Sequence, residues 1–339
     1  MATGPAIPAD HVGAILEGID DALTEAELAG DDRAVANLLA AGAHAALRQG
    51  DARAARGFGE RAARARFQHR TAQYDAVRAQ GFAATAAGDL EAALNQTIKA
   101  RVLARDSGRH RDLADQSCTL AALYLALGAP DEARSCADAA LAAARVEAAH
   151  DLEAVAAAWR ACADGEAGFL DLAATALAAI DTSGRGVTAQ VDVACARTYW
   201  LLERGAAGDA RTSEDVATAA LAAAIRAGVD HRRTALHATV ARALARRGDD
   251  VRAREELERA RRSSDRAESS ALSLLALAAG EVLASTESQR QVMLGAARAR
   301  VLRTASRRED PRAYCTGVRL HRRLLELTGG IPADLPGPA

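Results

Sequence analysis

The chain has 339 residues, 43 basic and 45 acidic, and its net charge of −2 gives no global pull toward nucleic acid or a membrane surface. Half of the residues are apolar but only 3% are aromatic; alanine dominates, which favours helices and lets them approach closely. Five separated cysteines, Cys118, Cys136, Cys162, Cys195 and Cys315, form no Cys-x-x-Cys pair, which argues against zinc-ribbon and dithiol redox chemistry and for small buried thiols.

Residues 1–9 hold two prolines, a glycine and no periodic face, and are expected to be disordered. A first helix is predicted over 10–29, with Val12, Ile15, Leu16, Ile19 and Leu23 on one side, capping the N-terminal end of the helical stack. Asp31 or Asp32 caps the next helix, which carries Leu38, Leu39 and Leu47 to a turn at Gly50-Asp51. Hairpins are predicted next over about 71–107, 111–149, 151–180, 187–227 and 230–264. Their turns fall 40 residues apart at Gly88, Gly128, Gly168, Gly208 and Gly248, and the same step reaches Ser288 and then Thr328. The loop 181–186, DTSGRG, reads as a connector, with a hinge or binding loop as the alternative. Pro311 opens a last helix containing Tyr314, Val318, Leu320, Leu324, Leu325 and Leu327, and the tail 329–339 is expected to be disordered.

A fixed-period turn between two amphipathic helices points to a solenoid, because one hairpin cannot bury its apolar face alone. The expectation is therefore an all-α, right-handed α-solenoid of stacked antiparallel hairpins, one elongated domain over 10–328 with about seven hairpins. The best-preserved repeat, residues 120–141, carries Ala121 and Tyr124 before the Gly128 turn and Ala133 and Ala140 after it. Gly81, Ala84, Ala93 and Ala100 stand at the same places around Gly88, and Ala241, Leu244, Ala253 and Ala260 around Gly248. Around Gly208 the fit is poor, with Leu201, Arg204 and Ser213, so a register slip of a few residues is expected there. The pattern resembles the tetratricopeptide repeat (TPR) family in a lengthened form of about 40 residues per repeat. His321–Leu327, HRRLLEL, also resembles the end of helical-repeat arms fused to some bacterial kinases and signal-responsive ATPase regulators.

No motif for covalent or phosphoryl chemistry emerges. Lys99 is the only lysine and is followed by Ala100, so a phosphate-binding Gly-Lys-Ser/Thr loop is excluded. No Gly-x-Ser-x-Gly or His-Glu-x-x-His occurs, and the eight histidines show no i, i+3 or i, i+4 pair for a metal. The arginine-rich runs at 246–266 and 298–308 either interleave acids at helical spacing or lack aromatics, which fits solvated helix faces and not nucleic-acid binding. Residues 1–170 carry −7 and residues 171–339 carry +5, an asymmetry able to orient a charged partner. The start lacks a basic-then-apolar leader and no apolar run reaches about 20 residues, so a cytoplasmic protein without membrane contact is expected.

The TPR resemblance implies that the first helix of each hairpin lines a concave surface that grips extended peptides or helices. Counted back from the turns, the inward candidates are His44, Arg48, Arg78, Phe82, Thr119, Trp159, Tyr199, Arg242, Arg246, Arg319 and Arg322. For Trp159 and Trp200, packing between repeats competes with a contact role. The family's carboxylate clamp uses Asn and Lys on this wall; here Asn occurs only at 37 and 95, so an arginine grip on an acidic partner takes its place. The reading is a non-enzymatic scaffold or adaptor without cofactor or metal, binding a protein or peptide and compatible with self-association. The alternative is a peptide-sensing regulatory subunit whose superhelix changes pitch.

Overall fold

The computed structural model describes residues 12–263, 269–282, 287–306, 308, 310–333 and 335. Among them are seventeen α-helices and no strand, stacked as antiparallel hairpins in a right-handed, TPR-like superhelix. Helix α1 (Val12–Ala29) packs on the first hairpin, α2 (Asp32–Gln49) with α3 (Ala52–Arg64). The next hairpins are α4 (Arg70–Ala87) with α5 (Leu90–Asp106), α6 (His110–Leu127) with α7 (Pro130–Val146), and α8 (His150–Glu166) with α9 (Leu170–Ala179). Then come α10 (Val187–Arg204) with α11 (Asp209–Arg226), α12 (Arg233–Arg246) with α13 (Asp250–Arg262), and α14 (Ser269–Val282) with α15 (Glu287–Ala305). The chain ends in α16 (Pro311–Gly317) and α17 (Arg319–Leu327).

Turn chemistry explains the period. Gly50, Gly88 and Gly128 all adopt the left-handed conformation at the helix end, with φ of 72°, 73° and 79°, where a side chain would be strained. Next to these turns Asp51 and Asp89 fold their carboxylates onto the first amides of the outer helix. Asp31 does the same for α2, and Pro130 sits in the first turn of α7, where its missing N–H is not needed. Alanines at the repeat positions are sealed: Ala121, Ala133, Ala140, Ala93, Ala100, Ala241, Ala253 and Ala260 are all buried. Where alanine is still too large, glycine allows contact. The Trp200 ring lies where a Cβ on Gly165 would come within 2.7 Å, and the Phe58 ring does the same over Gly42.

The poor fit near Gly208 resolves into a longer turn. Helix α10 ends at Gly205 (φ 70°), three residues early, while α11 keeps the register counted from Gly208 and buries Ser213 and Ala220. Arg204 and the Ala206 amide both bond the Asp209 carboxylate, which braces the extra residues. The 181–186 loop is a braced connector. The Arg197 guanidinium donates to the carbonyls of Leu177, Ala178 and Ile180 at the end of the shortened α9, and the Gly186 amide donates to Asp151.

The C-terminal end departs most from expectation. The single last helix is broken at Val318, whose ψ of 112° is extended. Ser288 lies inside the first turn of α15, not between two helices. Of the tail, residues 329–333 and 335 are held in place: Ile331 and Leu335 pack on the core, and Arg312 donates to the carbonyls of Ala333 and Leu335. Residues 1–9 and 336–339 lie outside the described residues.

Candidate functional site: the inner wall of the coil

The first helix of each hairpin brings its polar side chains together in two clusters. In the first, α4 presents Tyr74, Asp75, Arg78 and Phe82 at helical spacing. His44 of α2 stacks on Phe82 with ring centroids 4.8 Å apart. Arg78 lies over the Tyr74 and Phe82 rings at 5.3 and 5.4 Å and pairs with Asp115 of α6 at 3.4 Å and Asp75 at 3.6 Å. Gln116 donates to the Tyr74 hydroxyl and to Asp115, while the Thr119 hydroxyl donates to the Asp115 carbonyl. Arg109 covers Tyr74 at 4.4 Å. Burial pushes the Asp115 and Asp75 carboxyls above the ordinary range, partly offset by Arg78. Arg48 of α2 is under the influence of Asp192 of α10, which pairs with Arg232 at 2.9 Å in the short 3-10 turn Asp230–Arg232 that packs on α2.

The second cluster surrounds Arg242 of α12. This guanidinium is wholly buried and bonds Glu203 of α10 and Glu281 of α14, each at 3.0 Å. Arg246 donates to Glu281 and to the Leu202 carbonyl. From α17, Arg319 and Arg323 reach Glu203 at 3.2 and 3.1 Å, and the Arg319 amide donates to the Glu166 carboxylate of α8 at 2.7 Å. That contact places a carboxylate at a helix N-terminus, where orphan amides and the macrodipole both favour it. Burial alone would raise the Glu203 carboxyl, but Arg242, then Arg323 and Arg319, outweigh it and the net shift is downward. Glu166, with less compensation, is pushed up to about 7, chiefly by burial. Tyr199 packs edge-on against Trp200 at 4.9 Å, and its hydroxyl is buried without a hydrogen-bond partner.

The inward candidates therefore separate by role. His44, Arg78, Phe82 and Thr119 meet in the first cluster, and Arg48 lies at the α2–α10 contact. Tyr199, Arg242, Arg246 and Arg319 meet in the second. Arg242 is fully buried and committed to two carboxylates, so a partner in the groove would not touch it. Arg322 bonds the Thr316 carbonyl, and half-buried Trp159 packs among three apolar clusters between the two sites. Sequence reading passed over the acids: Asp75, Asp115, Glu166, Glu203 and Glu281. Two left a signal, since Glu166 and Glu203 each stand two residues before a turn glycine, Gly168 and Gly205.

The C-terminal helices also close the coil. Gly317 lies directly against the Gly128 carbonyl at the α6–α7 turn, and Arg308 pairs with Glu91 of α5 at 3.2 Å. Together with the Glu166 and Glu203 contacts, α16–α17 and the residues leading into them touch the turn ends of the second to fifth hairpins. Part of the inner wall is thus covered by the chain itself, in place of the open groove expected.

Among the described residues no group of three His, Cys, Asp or Glu could hold a metal ion, and no helix is long and apolar enough to cross a membrane. None of the five cysteines is in a disulfide. Cys118 and Cys136 turn away from each other, toward the Leu152 carbonyl and Arg101 respectively.

Stacked hairpins with an ion-paired inner wall define a TPR-like helical-repeat solenoid. Neither a family model nor a curated protein matches the sequence. Among solved structures, the chain is similar in fold to a Rap protein in complex with competence and sporulation factor. The TM-score is 0.59 with 12% identity, covering 94% of this chain and 98% of that one.

Proposed function

We propose that the chain is a non-enzymatic scaffold of the lengthened, roughly 40-residue TPR type that binds a protein or peptide along its inner wall. The observation that carries this reading is the concentration of large polar and aromatic side chains on one wall of an alanine-built coil. His44, Phe82, Arg78 and Asp115 form a continuous partly open surface, whereas the packing between hairpins is sealed largely by alanine methyl groups. Aromatic and arginine side chains most often dominate binding energy, and half-exposed ones on a rigid wall are placed to do so. The similar fold of the Rap protein, solved in complex with competence and sporulation factor, supports the same use of the coil. The arginines expected to grip an acidic partner are largely neutralised by their own carboxylates, so the wall suits a cationic partner better.

The regulatory alternative is favoured by one feature, the bridge from α16–α17 to earlier hairpins, because a partner that competes for those polar contacts would open the coil.

The test is affinity capture from the native cell, with the bound proteins identified by mass spectrometry. Proteins bound by the wild type should be lost from a variant with His44→Ala and Phe82→Ala and retained by Arg53→Ala on outer helix α3. Equal capture by all three would remove the inner wall from consideration.

A further inference from the structure

Helix α17 has two unlike faces. Leu320, Leu324 and Leu325 are buried in the core shared with α14 and α15, so the helix belongs structurally to the last hairpin. Arg319 and Arg323 point the other way, across a seam of polar and backbone contacts to hairpins far earlier in the chain. Apolar cohesion lies within the C-terminal unit and ionic cohesion across the seam, where Arg319 and Arg323 stay partly exposed while the Glu203 carboxylate they meet is buried.

The seam is also imperfectly satisfied. Beside Arg319 and Arg323, the buried hydroxyl of Tyr199 and the Nη1 of Arg242 have no acceptor. Buried donors left unmet are costly, so an acceptor delivered to them would be favourable. A ligand bringing a guanidinium for Glu203 and a carbonyl for these donors would fit it better.

We propose that Glu203 forms an arginine-recognition site on the inner wall, occupied here by the guanidinium groups of Arg319 and Arg323 of the chain's own α17, with Glu166 beside it accepting the helix's first amide. An arginine-bearing segment of a partner protein takes their place when the seam opens. This rests on the scaffold reading and adds to it the partner's chemistry and a built-in competitor. The charge balance fits: three carboxylates, Glu166, Glu203 and Glu281, face two arginines of the wall itself, Arg242 and Arg246, which leaves an acidic excess once Arg319 and Arg323 withdraw. Recognition by planar, forked guanidinium groups is geometrically selective, so lysine would substitute poorly.

The seam can be opened without touching any charge. A methyl group on Gly317 would overlap the Gly128 carbonyl, and backbone cannot rotate aside as a side chain can. The probe is a fluorescent, end-blocked peptide of residues 317–328, GVRLHRRLLELT, together with a version in which its three arginines are glutamines. Full-length Gly317→Ala should bind the arginine peptide at least about tenfold more tightly than wild type, by fluorescence anisotropy. Adding Glu203→Gln, or Glu281→Gln, whose carboxylate Arg323 approaches at 3.8 Å, where the first variant fails to fold, should remove the gain, and the glutamine peptide should show none. Equal binding to wild type and Gly317→Ala, or a gain that survives loss of the carboxylates or of the peptide's arginines, overturns the proposal. Hydrogen exchange on the wild type gives a check independent of any variant. Saturating arginine peptide should speed exchange of the Arg319 amide about tenfold, and unchanged protection would refute the exchange. These outcomes are separable from the scaffold reading, whose test is capture by the His44 and Phe82 surface.

Discussion

Arg242 and Glu203 show what a buried ion pair does inside this wall. Arg242→Ala would leave Glu203, with 1% of its side chain exposed, short of its most buried partner. Breaking such a pair from one side is expected to cost about 3–5 kcal/mol, read as a lowered urea midpoint with unchanged slope. A loss below about 1 kcal/mol would mean that Arg319 and Arg323 suffice alone. Glu166 carries the opposite signature. Its carboxyl keeps its proton to about pH 7 in the folded chain, against an ordinary value of 4.5. Between these values the folded state binds more protons than the unfolded one, so this group makes stability fall as pH rises, levelling off above about 7. In Glu166→Gln the difference in thermal midpoint between about pH 5 and pH 8 should shrink; an unchanged difference would assign the slope to other carboxyls such as Asp75 and Asp115.

Helices and turns were the most legible level, because their causes are local. Left-handed glycines, aspartate caps and buried alanines are written within a few residues of each turn, and Gly50, Gly88 and Gly128 end helices where the period predicts. Gly88→Ala meets no atom within 4 Å, so its cost is backbone strain alone, about 1–2 kcal/mol. In Gly165→Ala the backbone is relaxed but the Trp200 ring is in the way, and overpacking of about 1–3 kcal/mol is expected. Chemical denaturation of both variants separates the two causes, since adding Trp200→Leu should relieve the second and leave the first unaltered. The slip at Gly205–Gly208 and the break at Val318 were less legible. Each is set by a contact made after folding, the Asp209 brace in one case and Gly317 against Gly128 in the other.

Across the whole molecule, the inner wall was legible as a surface but not in its pairing. The sequence points to His44, Phe82 and Arg78 as large side chains amid alanine, yet nothing local joins Arg319 to Glu166, 153 residues away, or Arg323 to Glu203, 120 away. Such pairs arise from the pitch of the stack, which accumulates from small rotations at every interface. Gly317→Ala should therefore enlarge the radius of gyration in small-angle scattering while helical content by circular dichroism stays constant. An unchanged scattering curve would show that the rim contact does not hold the coil closed.

The direction of synthesis gives the Arg319–Glu166 bond a further meaning. Helices α8 and α10 leave the ribosome long before α17, so a growing chain exposes Glu166 and Glu203 without the α17 amide and guanidinium groups that later meet them. During that interval a cationic helix nearby can stand in for α17, and only a chain that has reached α17 can shut itself. Shortened chains ending before residue 311 would remain permanently in the receptive form.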